Sequence, residues 1–352
     1  MEKIIVPKIV SLGMAVPSKS YNQLEVFQAC GYPREFKRIF TENEIERRYF
    51  EVPMGGQTSW QEMCDIYAKS TLRLSIEAVK VCADGRDLGD VGCIIFVSCT
   101  GLTVPSMNYL IAKELNLSPY IEHIPIVGDG GCAGAAPGLR QAANYVKLNP
   151  DKRALVVSCE VCSTCFFPED PKPDPTNKYQ LLRANAIFGD GASAVLVGDD
   201  NDPRHPYIID SETYTSYEDQ DALGFKWDKG RLSCVLSPDV PKLAGKYLKT
   251  CTDRLLKRNK ITIEQVRFII AHPGGKKVLD NIRDDLGLPE EKMSLSREGM
   301  RNFGNCSSAS VGMLSKLFMD KEVDVPRLGD YGIILTVGSG LNANAILLRW
   351  GR

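Results

Sequence analysis

The residues best suited to covalent chemistry in this 352-residue chain are a cysteine, a histidine and an asparagine, each beside a small-residue turn. Cys132 follows Gly128-Asp129-Gly130-Gly131 and precedes Ala133-Gly134-Ala135-Ala136. Such a run lets the backbone turn sharply and sets the thiol on the exposed amides at a helix start. That dipole and a neighbouring imidazolium both favour thiolate, the nucleophilic form. The same small residues also suit close helix packing. Only three histidines are present. His123 lies in IEHIP after a helical pattern, and His205 lies in a polar joining segment. His272 follows the apolar run RFII and precedes PGG, where a buried strand opens into a turn and side chains project into clefts. Asn305 precedes Cys306-Ser307-Ser308-Ala309. It suits an N-cap, and its amide also suits donation to a developing oxyanion beside His272. The two uses compete for one side chain.

A further pattern, Cys159-x-x-Cys162-x-x-Cys165, has the spacing of iron–sulfur or zinc ligands, and on that reading the chain is a metal or redox protein. No fourth cysteine is close by, and Cys159 continues directly from the apolar run ALVVS. The expectation is therefore pocket lining and no metal.

The elements that must position these groups are short β-branched runs over 92–98, 154–158, 192–197, 267–271, 332–337 and 344–348, read as buried strands. Between them lie helical patterns, with Leu139, Ala142, Ala143 and Val146 on one face and Val311, Leu314, Leu317 and Phe318 on another. Buried strands alternating with helices predict an α/β or layered α/β/α architecture. The order of pieces occurs twice. Cys99, at a strand end, and Cys132, at a small-residue helix start, lie 33 residues apart, and so do His272 and Asn305. Each half then runs through a strand, a glycine turn and a last strand. Two similar halves are expected, 1–203 and 204–352, joined near 199–206 where the composition turns to Asp, Asn and Pro.

Composition narrows the partners. With 43% hydrophobic and 25% charged residues, a net charge of -1 and no Lys/Arg run, the chain carries no electrostatic footprint for nucleic acid or anionic membrane. Small molecules are the expected partners. The opening residues carry Glu2 and are cut by Pro7 and Gly13, unlike a signal peptide, and no span has eighteen uninterrupted apolar residues. Twelve cysteines without a secretory signal imply reduced thiols and a cytoplasmic location.

The motifs together resemble the chalcone and stilbene synthase family, the type III polyketide synthases. The matching pieces are GCAGAA around Cys132, NAIFGDGASAVLVG around Phe188, AHPGG around His272, SREGMRNFGNCSSAS around Asn305 and TVGSGL near the end. They run in family order from IVSLGMAVPS to ILLRW. The resemblance implies a thiolase-like fold of duplicated αβαβα halves, layered α/β/α/β/α, in a homodimer, with a buried site reached by a tunnel. It implies that Cys132 takes a starter acyl group from CoA and that His272 is its ion-pair partner. Asn305 with His272 would hold the thioester oxygen of malonyl-CoA during decarboxylation and carbon–carbon bond formation. No cofactor beyond the CoA thioester substrates is implied. A single-condensation ketoacyl synthase of the same fold is the nearest alternative.

The resemblance also assigns Phe188 as a gate beside the thiol, with Cys234 where plant members carry a second gate phenylalanine. Cys99, Cys162, Cys165 and Ser339 would line the pocket, and Val104 would reach into the partner's cavity. Arg38, Gly274 and Lys277 would meet CoA. Glu35 and Glu42 stand where plant relatives carry basic residues for CoA phosphates. Either Lys37, Arg34 or Arg47 compensates, or an acyl carrier protein is the donor. GFKWDKGRLSCVLSPDVP and RRYFEVP followed by SWQEM are more similar to bacterial relatives that extend fatty acyl starters to alkylpyrones or alkylresorcinols. Starter, extension number and ring closure stay open.

Overall fold

The computed structural model describes residues 6–53, 59–166, 178–228, 231–321 and 324–351. In chain order its strands are β1 (Lys8–Ala15), β2 (Ser20–Asn22), β3 (Arg47–Tyr49), β4 (Val91–Ser98), β5 (Glu122–Val127), β6 (Arg153–Glu160), β7 (Gly191–Gly198), β8 (Tyr207–Thr215), β9 (Leu223–Asp228), β10 (Arg231–Leu236), β11 (Val266–Ala271), β12 (Tyr331–Gly338) and β13 (Asn342–Arg349). Its helices are α1 (Gln23–Ala29), α2 (Lys37–Thr41), α3 (Trp60–Ala83), α4 (Met107–Glu114), α5 (Ala135–Leu148), α6 (Ser163–Phe166), α7 (Lys178–Ile187), α8 (Val240–Asn259), α9 (Lys276–Asp285), α10 (Ser294–Phe303) and α11 (Ser310–Met319).

Nine strands join in the order β11-β12-β13-β8-β1-β7-β6-β4-β5, and the middle joint is a single pairing of Lys8 with Tyr207. The order is the same outward from that joint on each side. β1 and β7 are antiparallel, β7 and β6 antiparallel, and β6 and β4 parallel. Likewise β8 and β13 are antiparallel, β13 and β12 antiparallel, and β12 and β11 parallel. The chain passes from one side to the other through 199–206, between β7 and β8.

β4 and β7 are buried at every position, as strands covered on both faces must be. Three cores explain why. Between the two sheets, Leu139, Ala142 and Val146 of α5 and Val311 and Leu314 of α11 meet Ile95, Val97, Ile270 and Ile334. Outside the first sheet, Leu74 and Val79 of α3 and Ile111 of α4 cover Ile94, Phe96 and Leu155. Outside the second, Leu248 and Leu255 of α8 and Leu279 and Ile282 of α9 cover Ile269, Ile333 and Leu335. Five layers result, α/β/α/β/α, the thiolase-like arrangement. Among the described residues no helix is long and apolar enough to cross a membrane.

The six strands expected from the sequence are present, each extended by one to three residues. β1, β5, β8 and the β9–β10 hairpin are additional. His123 follows α4 as the sequence suggested and stands within edge strand β5, its ring stacked on Tyr109 at 4.1 Å between centroids.

Candidate active site

The loop from β5 to α5 needs conformations that only glycine adopts freely. Gly131 has φ +50°, and a Cβ there would strike the Ser339 hydroxyl. This bend lets Cys132 fall inside a single 3-10 turn, Gly131–Ala133, directly before α5. The end of β12 supports the turn from below. Ser339 N donates to the Gly130 carbonyl at 3.1 Å, and the Thr336 hydroxyl donates to the Ala133 carbonyl at 3.5 Å. At Gly338 any Cβ would overlap the Gly130 carbonyl and the Ala133 amide, so only glycine lets the Cys132 loop and β12 approach this closely.

His272 follows the last residue of β11, and its amide donates to the Leu335 carbonyl at 2.8 Å. The backbone of His272 is thereby tied to β12, the strand whose end holds the Cys132 turn. The imidazole is buried, and neither ring nitrogen has a hydrogen-bond partner, the Cys132 sulfur included. Burial alone lowers its pKa to about 3, so the ring is neutral.

Asn305 lies between α10 and the 3-10 turn Ser307–Ala309. Its amide donates to the Ile187 carbonyl at 2.9 Å, its carbonyl accepts from Gly189 N at 3.0 Å, and Phe188 pairs with it as an isolated parallel bridge. Asn305 is not the cap of that turn, which is Cys306. Its Oδ1 accepts from Ser307 N at 2.8 Å, two residues on, which leaves Nδ2 as donor toward Cys132.

These groups fix the charge of the thiol. Burial raises the Cys132 pKa to about 11; hydrogen bonds from Ser307 and Asn305 pull it down, against the Glu160 carboxyl. Its neighbour Cys165, without those donors, is pushed up to about 12, chiefly by burial. Loss of water thus opposes the thiolate that a helix N-terminus favours. Burial disfavours a lone imidazolium at His272 in the same way. Each charge is unfavourable alone, so they can arise only together, as the Sγ proton passes to the imidazole.

The remaining candidates divide. A cavity of about 950 Å³ is lined by Cys99, Cys165 and Ser339, together with Trp60, Met63, Cys64 and Tyr67 of α3 and Leu223, Phe225 and Val235 of the hairpin. Phe188, Cys162 and Cys234 are not on its wall; they pack with Cys132 and Cys165 in a closed apolar cluster beside it. Cys159 points the other way, into the core beneath α3, so the three cysteines of the C-x-x-C-x-x-C run do not converge. Val104 is 89% exposed in this protomer, outside the site. Arg38 lies on the surface in an ion pair with Glu42 at 2.7 Å. Gly274 N donates to the His272 carbonyl at 2.8 Å, and Lys277 is exposed in the first turn of α9.

Glu160 went unread in the sequence, although a charged residue ending the apolar run ALVVSC was its signal. Fully buried, its carboxyl accepts from Cys99 N at 3.0 Å, Thr100 N at 3.2 Å, Thr100 Oγ1 at 2.8 Å, Ser98 Oγ at 3.3 Å and Ser308 Oγ at 2.5 Å. It ties the ends of β4 and β6 to the turn that carries Asn305. Burial raises its pKa while these donors lower it. Glu160→Gln faces an NH2 group toward donors, and we expect a loss of about 2–3 kcal/mol in stability, read as a lower urea midpoint. An unchanged midpoint would show that the network is dispensable.

Residues 34–201 match the model of the N-terminal domain of chalcone and stilbene synthases, and residues 218–350 match that of the C-terminal domain. The chain is 32% identical to a Bacillus subtilis (strain 168) protein provisionally described as a chalcone synthase, covering 97% of this chain and 98% of that one. It is 29% identical to the 3,5-dihydroxyphenylacetyl-CoA synthase of Streptomyces toyocaensis, covering 98% and 90%. A polyketide synthase structure from the brown alga Ectocarpus siliculosus superposes with a TM-score of 0.88 at 23% identity over 99% of both chains, a likeness of fold. Two family models over nearly the whole chain and a relative aligned end to end lead to one conclusion: this chain belongs to the chalcone and stilbene synthase family and is a type III polyketide synthase, an acyltransferase.

Proposed function

We propose that Cys132 carries the growing acyl chain and that His272 and Asn305 hold the thioester oxygen of malonyl-CoA while it loses carbon dioxide. The observation that carries this reading is a buried thiol that receives the spare amide of Asn305, together with a buried imidazole whose two nitrogens are both free. In loading, the Sγ proton passes to His272, the sulfur attacks the starter thioester, and the departing CoA sulfur takes the proton back. The imidazole is then neutral again. Decarboxylation leaves an enolate, whose oxygen accepts from a His272 N–H and from Asn305 Nδ2. The enolate carbon attacks the Cys132 thioester, and the thiolate released is ready to take the lengthened chain. Burial excludes the water that would hydrolyse the thioester or protonate the enolate.

CoA is the acyl donor in this reading. Gly274 and Lys277, at the turn and helix start after His272, are suited to contact it. Arg38 would have to leave Glu42 to do so, and delivery by an acyl carrier protein is the competing outcome. No metal or further cofactor takes part. Exposed Leu102, Val104 and Tyr109 support a homodimer in which this face is covered and Val104 enters the partner's cavity. Twelve unpaired thiols suit the cytoplasm.

Asn305→Ala removes one enolate donor and should lower malonyl-CoA decarboxylation and kcat by about 10²–10³-fold, with acylation of Cys132 by the starter retained. Mass spectrometry of products from malonyl-CoA and a panel of acyl-CoAs tests the whole reading. Multiply extended pyrones or resorcinols are expected, and a single β-ketoacyl product would overturn it.

A further inference from the structure

Arg48, in β3, is fully buried, yet its hydrogen-bond partners among the described residues are all neutral oxygens. Nη1 donates to the Asn185 carbonyl at 2.7 Å and to the Phe188 carbonyl at 2.8 Å; Nη2 donates to Gln23 Oε1 at 2.5 Å. The guanidinium also lies over the Phe50 ring, 5.2 Å from its centroid. Burial lowers its pKa to about 9.

What it holds is the end of α7. The last turn of a helix leaves carbonyls without partners, and here each is met from outside or by the next turn. Ala184 O accepts from Phe188 N at 3.0 Å, and Asn185 O accepts from Arg48. Ala186 O accepts from Gln23 Nε2 and from Asn43 Nδ2, both at 2.8 Å. Ile187 O accepts from Asn305 N at 2.9 Å. The negative end of the helix dipole favours a cation there, and a planar fork reaches two carbonyls and a glutamine at once, which an ammonium on a flexible stem does not. Asn305 is in turn fixed on both sides by this terminus, through Ile187 O and Gly189 N.

We infer that Arg48 is a positioning residue, which sets the end of α7 and, through it, the register of Phe188 and Asn305 against Cys132. The inference rests on the reading that Asn305 stabilises the enolate. Arg48→Lys keeps the charge and loses the fork. Malonyl-CoA decarboxylation and kcat should fall about 10- to 100-fold, while KM for the starter and the rate of Cys132 alkylation by iodoacetamide stay within about twofold. A general loosening of the fold would instead move all four together.

The double-mutant cycle with Asn305→Ala decides the matter. If Arg48 acts through Asn305, Arg48→Lys in that background changes decarboxylation by less than about twofold. Wild-type decarboxylation in Arg48→Lys, or an equal loss in both backgrounds, overturns the inference and leaves the role of Asn305 standing. Full activity of Asn305→Ala alone overturns both. Should Arg48→Lys fail to fold, Gln23→Met removes one support while keeping the guanidinium, and the same cycle, with a smaller loss, applies.

Discussion

Cys132→Ala should reduce product formation by at least about 10⁴-fold while leaving decarboxylation of malonyl-CoA measurable. The two activities separate because they use different atoms. In the proposed mechanism the Cys132 Sγ holds the acyl chain as a thioester, whereas the enolate is stabilised by His272 and Asn305, whose positions do not depend on that sulfur. His272 is anchored through β12, and Asn305 through Ile187, Gly189 and its own Oδ1 bond to Ser307 N. Liquid chromatography of the polyketide and release of labelled carbon dioxide, measured side by side, check the expectation. Product formation near the wild-type rate would place the acyl chain on another atom, and equal loss of both activities would mean that the thiol is needed for decarboxylation.

The second large effect concerns the proton. With His272 replaced by alanine, the Sγ proton loses the acceptor proposed for it, and the charge of the nearby Glu160 carboxyl further disfavours a thiolate. A thiol near a pKa of about 11 is ionised only to about one part in 10⁴ at pH 7. Alkylation of Cys132 by iodoacetamide in His272→Ala should then climb about tenfold per pH unit and level off near that pKa. At pH 7 it should run at least about tenfold below wild type, in which proton and charge move together onto the imidazole. Polyketide formation should follow the same slope. The same alkylation rate and the same pH profile in variant and wild type would show that His272 is not the proton acceptor.

Much of this site is legible in residue type and spacing. The equal 33-residue separations put Cys132 and Asn305 at comparable helix starts and Cys99 and His272 at comparable strand ends, because the duplicated topology brings those ends to one cleft. Buried strands such as β4 and β7 announce themselves as unbroken apolar runs. β5 does not, being an edge strand interrupted by Pro125, and β8, YIIDSETYT, is half-buried and largely polar. Depth is the quantity that sequence hides. Glu160 and Arg48 belong to types usually found in water; the apolar run before Glu160 is its one local mark, and nothing local marks Arg48 as a fully buried anchor. Depth also opposes the expectation for Cys132, where a helix N-terminus favours thiolate and loss of solvent favours the thiol. In the run from Cys159 to Cys165, strand geometry splits what the spacing suggests is one cluster. Cys159 faces the outer core as part of β6, whereas Cys162 and Cys165, beyond the strand end, turn toward Cys132.

The central claim is that one thiol among twelve carries the acyl chain. Incubation with an acyl-CoA starter in the absence of malonyl-CoA, followed by proteolysis and mass spectrometry of the cysteine peptides, tests it most directly. The acyl mass should appear on the peptide containing Cys132 and vanish in Cys132→Ala, whereas an adduct on Cys99, Cys162, Cys165 or Cys234 in the wild-type enzyme, or none at all, would contradict the claim.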